Sequence, residues 1–428
     1  MEETLDPAPE KFVDFGNISK ITYDEYFGAA LWQLNKAMES PYKSALKMGL
    51  LESYLDPNVN SELLCEKLKR SVFLEKDASS ALDSYQIMIN RVLDYYGSLK
   101  RNNTVELLRR CFYIKTCETE TPAGLPPKNT YKQILLKEYL KKWNWSETFI
   151  ETHNNYRQWG FSEVLALGRE LHDYMIETYK RLSDYAKTKP NLKRKLTDRD
   201  LTVLGRKLFS FYSIRKNKIP FLKQPFEAGE PLENVTFHVT FDKSGQPVWS
   251  VYRGQLQKHK LVFSKNKLLK RGVDLPKILT WMLINRICDT RSNYYLIPNS
   301  VPVSLEEIQR VVKELSVFFS RTNIAAIPNK DLFNQPKVQK LFVLINFLSQ
   351  PWAKKIEQIT LLYSTSWGEF FCENYDEKKG ILTILKYIEE LPKLVTSYEG
   401  NIHKVFIPRG ENKNQIQKKI NMLILKNL

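Results

Sequence analysis

Two adjacent stretches decide how the first half of this chain folds: DEYFGAALWQL at residues 24–34 and ESPYKSALK at residues 39–47. Apolar residues recur at helical spacing in both, so we predict one helix over residues 23–38 and a second over residues 41–54. Ser40 suits the N-cap of the second helix. Pro41 suits its first helical position, where the missing N–H leaves no bond unmade.

The helical pattern continues to about residue 189, with only short polar connections. Further helices are predicted over residues 60–70, 81–96, 104–117, 131–142, 146–151 and 162–187. Residues 121–129 hold three prolines and one glycine, which predicts a loop. The basic, proline-containing stretch 187–195 reads as a linker, and one more helix follows over residues 198–211.

Strand signals appear only after this linker. Residues 235–241 and 248–253 are rich in β-formers and flank the pentapeptide DKSGQ (242–246), a hairpin signature. The remaining predictions are helices over 274–288, 304–319 and 381–391, strands over 294–297, 341–347 and 404–407, a hairpin over 358–375, and a helix from residue 412. The fold class is a mainly α N-terminal helical region, residues 1–190, followed by an α+β domain with β-hairpins, residues 191–428.

Composition describes a folded protein with a basic surface. The 428 residues include 65 Lys and Arg against 48 Asp and Glu, a formal net charge of +17. Such a surface attracts polyanions, but the lysines are spread along the chain, and a solvated lysine-rich surface is the simpler interpretation. No signal peptide and no run of about 20 apolar residues is present. Five cysteines without paired spacing predict reduced thiols rather than zinc ligands. We therefore expect a cytoplasmic protein without membrane insertion.

Several motifs, in order along the chain, resemble one family. Residues 24–47 resemble the helical segment behind the active site of class I bacterial adenylate cyclases. Four further segments are similar to later parts of that family: LLRRCFYIKTCE at 107–118, residues 155–180 with RELHD at 169–173, VLGRKL at 203–208, and LLYSTSWGE at 361–369. The resemblance implies conversion of ATP to cyclic AMP and pyrophosphate. It also implies that residues 1–190 are the helical rear part of a nucleotidyltransferase-like catalytic domain and that residues 191–428 are regulatory.

The family's catalytic motif, a Gly-Ser turn followed by an Asp-x-Asp pair, is expected upstream of residue 24 and is not found here. Gly97-Ser98 is followed by Leu99-Lys100-Arg101 with no such acidic pair at the required distance. Asp198-Arg199-Asp200 reads as a helix start, with Thr197 or Asp198 as the N-cap. Residues two apart on a helix diverge, so these carboxylates would not share a metal. The family uses Mg²⁺, for which no ligands are identified in this chain.

Ser40, Lys43 and Lys47 are the candidate phosphate-binding residues. They follow Lys36 at spacings of three and four, which places all of them on one helical face across the break at Pro41. In nucleotidyltransferase-like enzymes the helix behind the catalytic strands often contacts the triphosphate. A solvated lysine face remains the alternative. For Arg109, Arg110 and Lys115, ion pairing with nearby acids is the favoured interpretation over phosphate binding.

Two functions stay open. The first is a portion of an adenylate cyclase that lacks the metal-binding carboxylates, is inactive alone, binds ATP and pairs with a separately encoded catalytic head. The second is a non-catalytic basic module that binds a nucleotide, nucleic acid or a protein partner. Nucleic acid is not the expected partner, because the lysines do not form one block. For Trp143 and Trp145, which flank Asn144, we favour core packing of one of the two over stacking on bases.

Overall fold

The structure is a computed structural model. It describes residues 23–38, 40–56, 58–59, 63–68, 84–117, 130–154, 156, 159, 161–188, 198–213, 215–221, 231–261, 267–319, 327–349, 356–376, 402–410 and 413–427. The chain divides into two compact units. The first comprises Met1–Tyr156 and Leu167–Gly205, and the second comprises Arg157–Ala166 and Arg206–Leu428. The predicted boundary at residue 190 lies outside the described residues and stays a prediction.

Helices occupy the described chain up to residue 212. Their bounds are α1 Tyr23–Lys36, α2 Pro41–Leu55, α3 Ser84–Ser98, α4 Asn102–Cys117, α5 Thr130–Trp143, α6 Glu147–Asn154, α7 Phe161–Thr188 and α8 Asp198–Tyr212. A further helical turn covers residues 64–68. The mainly α N-terminal region predicted from periodicity is confirmed. The proline-rich stretch 121–129 and most of the linker 187–195 lie outside the described residues.

The second unit contains two sheets. Its strands are β1 Lys218–Ile219, β2 Asn234–Phe241, β3 Pro247–Arg253, β4 Leu268–Gly272, β5 Asn293–Leu296, β6 Val338–Ile345, β7 Gln358–Thr365, β8 Phe370–Asp376 and β9 Ile402–Phe406. One sheet has the strand order β4-β3-β2-β5 and the other β1-β8-β7-β6-β9. Adjacent strands pair antiparallel except β2 with β5 and β6 with β9, which are parallel. The α+β prediction is confirmed, as are both hairpins.

In the described part of the chain, four helices accompany the sheets: α9 Leu275–Ile284, α10 Leu305–Phe318, α11 Asn329–Leu332 and α12 Lys413–Asn427. The predicted helix 381–391 lies outside the described residues. Ser304 starts α10 with a capping box, in which its hydroxyl accepts from the N–H of Glu307 and the Glu307 carboxylate accepts from the N–H of Ser304. Asp274 caps α9 with a single bond, in which its carboxylate accepts from the N–H of Lys277.

Side-chain alternation along β6 builds two cores. Phe342 and Leu344 join a cluster formed with both sheets, α9 and α10, which also holds Trp249 and Trp281. Val343 and Ile345 point to the opposite face, where they pack with Ile420 of α12. Successive strand residues face opposite sides of a sheet, so a nearly continuous apolar strand such as β6 must be covered on both faces.

The predicted C-terminal end of α9 was wrong. The apolar run suggested a helix to residue 288, whereas the helix ends at Ile284. The Asn285 amide donates to the carbonyls of Trp281 and Pro220, and Arg286 has a φ of +55°. A left-handed residue just after the last turn is a common way to end a helix, although glycine usually occupies it.

Among the described residues, no helix is both long enough and apolar enough to cross a membrane.

Candidate functional site

Helix α2 carries the candidate phosphate-binding residues. Ser40 occupies its N-cap position and Pro41 its first turn, as predicted, but the Ser40 side chain makes no capping bond. The helix lies deep in the first unit, because Ala45, Leu46 and Met48 are fully or almost fully buried. Lys43 is exposed and Lys47 is half-buried. The buried stripe therefore fixes the helix while its lysine face remains accessible.

Gly49 allows α2 to approach α3 closely. A Cβ atom at this position would lie 2.9 Å from Val92 Cγ1 and 3.0 Å from Tyr96 Cε2. Real Cβ atoms essentially never make contacts below 3.0 Å. The absence of a side chain at Gly49 thus sets the separation between α2 and α3, and with it the position of the lysine face.

A cleft of about 400 Å³ opens beside the lysine face of α2. Lys43 and Lys47 line it from α2, and Lys115 lines it from α4. The walls are mainly apolar and include Leu46, Leu50, Leu64, Leu68, Tyr85, Ile87 and Met88. Ser40 is not among the lining residues. The arrangement combines a small number of cations with an apolar surface, which is a typical composition for a small-molecule pocket.

Glu52 is the buried acid of α2, and it forms an ion pair rather than an open metal site. Its carboxylate accepts from Arg181 Nε at 2.6 Å and Arg181 Nη2 at 3.0 Å, and from the Tyr96 hydroxyl at 2.8 Å. The Tyr95 hydroxyl lies 3.4 Å from Glu52 and 3.0 Å from Asp56. These contacts join α2 to α3 and α7.

The tyrosines around Glu52 stay protonated. Burial, reinforced by the negative charge of Glu52, raises the pKa of Tyr95 above its ordinary value. Burial also raises the pKa of Tyr96 and of Tyr174, whose hydroxyl donates to the Ala45 carbonyl. Each phenol therefore acts as a neutral hydrogen-bond donor that holds α2 in place.

The two sequence elements that superficially match the catalytic motif are helical. Gly97 and Ser98 end α3, and the Ser98 hydroxyl donates to the Tyr95 carbonyl. Asp198 and Asp200 lie in the first turn of α8. Neither pair forms a phosphate-binding turn or a carboxylate pair on a strand. This agrees with the sequence analysis, which predicted that neither pair is the catalytic motif.

The arginines of α4 pair with acids, as predicted. Arg109 Nη1 lies 3.3 Å from Glu106 Oε2. Arg110 makes a bidentate ion pair with Glu170. Lys115, from the same motif, lines the cleft. Trp143 is 7% exposed and contacts Phe112 and Tyr139, which confirms that one of the two neighbouring tryptophans is a core residue.

A second buried charge cluster lies in the second unit. Glu369 Oε1 accepts from Arg215 and from Lys218, whose ammonium group also donates to the Ser210 carbonyl at 2.7 Å. Burial lowers the pKa of Lys218 to about 8, although attraction to Glu369 opposes the shift. The cluster ties the end of α8 and β1 to the start of β8.

The described residues around the cleft hold no candidate metal site. Within the described ranges, no three or more His, Cys, Asp or Glu side chains converge. The acids of α2 accept hydrogen bonds from Arg181 and from tyrosine hydroxyls. Mg²⁺ is usually held by one or two carboxylates together with substrate phosphates, and no Asp or Glu is among the described residues that line the cleft. The described residues at this site therefore do not fit the Mg²⁺ that the family resemblance implies.

Two protein-family models match consecutive parts of this chain. Residues 21–223 match the second domain of class I adenylate cyclase, and residues 233–323 match the third domain. The chain belongs to the class I adenylate cyclase family. Helix α2, the cleft and the Glu52 network all lie in the adenylate cyclase second domain, and β2 to β5 lie in the third.

Relatives named adenylate cyclase match most of this chain. The Yersinia intermedia and Escherichia coli K12 proteins are each 26% identical over 408 and 406 residues, covering 89% of this chain and 47% of the relative. The Haemophilus influenzae protein is 28% identical over 357 residues, covering 82% of this chain and 41% of the relative. The chain thus spans about half the length of these adenylate cyclases. No solved structure matches.

Sequence reasoning identified Lys43 and Lys47 but missed the cleft beside them. Leu64, Leu68 and Met88 also line this cleft, and they come from parts of the chain 17 or more residues away from Lys47. Lys115 was assigned only to ion pairing. Because Lys115 is far from α2 in the sequence, no local pattern indicated that it would line the same cleft as the α2 lysines.

Proposed function

We propose that the helical unit of this chain binds the triphosphate of ATP at the cleft beside α2, as part of an adenylate cyclase reaction that yields cyclic AMP and pyrophosphate. The observation that carries the proposal is that Lys43, Lys47 and Lys115 line one cleft in the family's second domain. The relatives are named for the same activity.

Charge and shape both favour a nucleotide. Lys43, Lys47 and Lys115 supply positive charge at the cleft, which suits the anionic triphosphate. The aliphatic walls suit the flat, weakly polar base. Hydrogen bonds to charged groups contribute about 1.5–3 kcal/mol each when formed in a protected site. Lys43 is exposed, so its share is reduced by solvent screening. Ser40, at the N-cap of the same helix, is proposed as an accessory contact.

The chemical step needs groups beyond these residues. Cyclisation requires removal of a proton from the ribose 3′ hydroxyl, attack of that oxygen on the α-phosphorus, and departure of pyrophosphate. Two Mg²⁺ ions supply this chemistry in nucleotidyltransferase-like sites. Because the described residues do not fit such a metal site, the role assigned here is to bind and orient the triphosphate. The carboxylates would come from a catalytic head that is proposed as a separate partner.

Binding tests the nucleotide site directly. We expect the full chain to bind ATP, measured by isothermal titration calorimetry, and Lys43→Gln/Lys47→Gln to weaken binding at least tenfold, or about 1.4 kcal/mol. Lys137→Gln/Lys141→Gln is the matched control, since these lysines have the same spacing on the exposed face of α5. Unchanged affinity in the first variant, or an equal loss in both, would contradict the proposal.

A turnover measurement tests whether this chain can catalyse the reaction without a separate catalytic head. With ATP and Mg²⁺, the chain alone is expected to produce no cyclic AMP above background. Robust production by the isolated chain would show that metal-binding carboxylates exist within it, and the proposed role of α2 would then be incomplete.

A further inference from the structure

A small cavity lies inside the second unit, where the C-terminal ends of α9 and α10 meet the start of β8. Its volume is about 120 Å³. Most of its described lining is apolar and comprises Phe221, Leu283, Ile284, Leu315, Phe319 and Phe370. An apolar cavity with a few polar groups is the usual composition of a small-molecule site.

The turn that follows α9 holds the walls of this cavity in place. The Asn285 amide donates to the Pro220 carbonyl at 3.1 Å, and the Ile287 carbonyl accepts from the Leu232 N–H at 2.8 Å. These bonds attach the chain around Pro220 and Leu232 to the end of α9. Because its walls are tied together by backbone and amide hydrogen bonds, the cavity does not depend on a ligand for its shape.

Three phenylalanines form one wall. Phe370 is 2% exposed, and its ring meets Phe221 and Phe319 edge to face, with ring centroids 6.0 Å and 5.4 Å apart. Aromatic rings attract one another in such arrangements beyond the gain from buried area alone. The wall therefore favours a further aromatic ring over an aliphatic group of the same size.

The volume restricts a ligand to a single ring. An engineered apolar cavity of about 150 Å³ admits benzene. The cavity here is somewhat smaller, but it reaches the surface, because the exposed Arg286 is among its lining residues. One six-membered ring matches this space when its substituent stays at the mouth, whereas a nucleoside triphosphate is too large.

Arg286 provides a cation at the mouth of the cavity. Within the described ranges, its guanidinium makes no ion pair and no side-chain hydrogen bond. The hydroxyl of Ser316, which also lines the cavity, makes no hydrogen bond to the described residues either. A guanidinium and a hydroxyl can both donate to a carboxylate, and the bond from a charged donor is the stronger of the two.

The other polar groups at the cavity leave the charge of Arg286 in place. The Asp289 carboxylate is paired with Arg291, whose Nε and Nη2 lie 3.0 Å and 2.8 Å from Oδ2. Burial raises the pKa of the Cys288 thiol to about 12, so this lining residue is neutral. The carbonyls of residues 281–283 accept from the N–H groups of residues 285–287, which satisfies most of the negative end of α9.

We propose that this cavity binds a small monocyclic aromatic carboxylate, with its ring against Phe370 and its carboxylate at Arg286. Phe221 and Phe319 would contact the ring, and Ser316 would donate a second hydrogen bond to the carboxylate. Such a molecule is neither the substrate nor a product of the proposed cyclase reaction. The site would therefore bind an effector, and it goes beyond the proposed nucleotide function.

The first experiment tests the ligand class. Phenylacetate is titrated into the full chain and followed by ligand-observed NMR, with an expected dissociation constant of about 1 mM or below. The neutral analogue 2-phenylethanol should bind about fivefold more weakly, because it lacks the carboxylate. Cyclohexylacetate should bind about threefold more weakly, because it lacks the aromatic ring.

Three outcomes would overturn the proposed ligand class. Equal affinity for 2-phenylethanol would exclude the carboxylate contact, and equal affinity for cyclohexylacetate would exclude the aromatic one. The absence of any phenylacetate signal at about 10 mM, roughly ten times the expected dissociation constant, would exclude the site altogether.

The second experiment locates the carboxylate. Arg286→Gln should weaken phenylacetate binding about tenfold and leave 2-phenylethanol binding unchanged, since only the charged ligand uses the guanidinium. Arg271→Gln makes the same charge change at an exposed position on β4 and should bind both molecules as the parent does. Unchanged phenylacetate affinity in Arg286→Gln, or an equal loss in both variants, would overturn the assignment of Arg286.

The third experiment locates the ring. Ser316→Leu places a larger apolar side chain in the lining and should remove binding of both phenylacetate and 2-phenylethanol. Val317→Leu is the matched control, since Val317 is 73% exposed on the same helix and its variant should bind as the parent does. Full binding by folded Ser316→Leu would overturn the location, and Arg286→Gln decides the question if Ser316→Leu fails to fold. None of these measurements uses ATP or changes Lys43 or Lys47, so their outcome is independent of the nucleotide proposal.

Discussion

Replacing Arg181 by methionine isolates the contribution of the ion pair beneath α2. The Glu52 side chain is only 4% exposed, and Arg181 supplies two of its hydrogen bonds, from Nε and Nη2. Methionine keeps much of the aliphatic volume but removes the charge. Glu52 would then remain buried with tyrosine hydroxyls as its donors.

The expected loss is about 3 kcal/mol of unfolding free energy. Breaking a buried ion pair from one side typically costs 3–5 kcal/mol. The lower value applies here because Arg181 is 24% exposed and Tyr96 still donates to the carboxylate. For a unit of this size, a loss of 3 kcal/mol corresponds to a decrease of about 6–12 °C in the melting temperature.

Differential scanning calorimetry of the full chain can measure this loss. Lys180→Met, on an exposed neighbouring lysine, is the matched control and should change stability by no more than about 0.5 kcal/mol. Adding Glu52→Gln to Arg181→Met removes the unpaired charge and should recover part of the loss. A loss below 1 kcal/mol in Arg181→Met, or one equal to that of Lys180→Met, would refute the assigned role of the pair.

Two further predictions concern local packing and a buried lysine. Gly49→Ala should destabilise the chain by about 1–3 kcal/mol in urea denaturation, because its Cβ would meet Val92 at 2.9 Å; Gly28→Ala, which meets no atom within 4 Å, should stabilise it by about 1 kcal/mol. Burial lowers the pKa of Lys218 to about 8 against about 10.4 in the unfolded chain, so the folded state binds fewer protons in between and stability should rise with pH across that interval. Lys218→Met should lose this rise in pH-dependent melting, and an unchanged slope would show that Lys218 does not titrate there.

Helices and hairpins were predictable because their signals are local. The break at Ser40-Pro41 and the turn at Asp242–Gln246 each lie within a few residues, and the structure places both as expected. Strand β4 was missed, because LLKRG has neither alternation nor β-branched residues. Its strand conformation comes from pairing with β3, which no local pattern reveals.

The candidate site was only partly accessible to the same reasoning. Helical spacing placed Lys43 and Lys47 on one face, and the structure shows both at one cleft. The third cation, Lys115, is 68 residues from Lys47 in the sequence, and the partner of Glu52 is 129 residues away. Such long-range contacts depend on how the helices pack against one another, so helical periodicity alone could not predict them.

The long separation between Glu52 and Arg181 also matters during synthesis. At ribosomal rates of about 5–20 residues per second, Arg181 is made roughly 6–26 s after Glu52. In that interval burial of the carboxylate would lack its compensating cation, so the nascent helix gains little from docking early. Final docking of α2 should therefore wait until α7 has left the exit tunnel, so the helices of this half of the protein are expected to pack together late rather than one by one as each emerges.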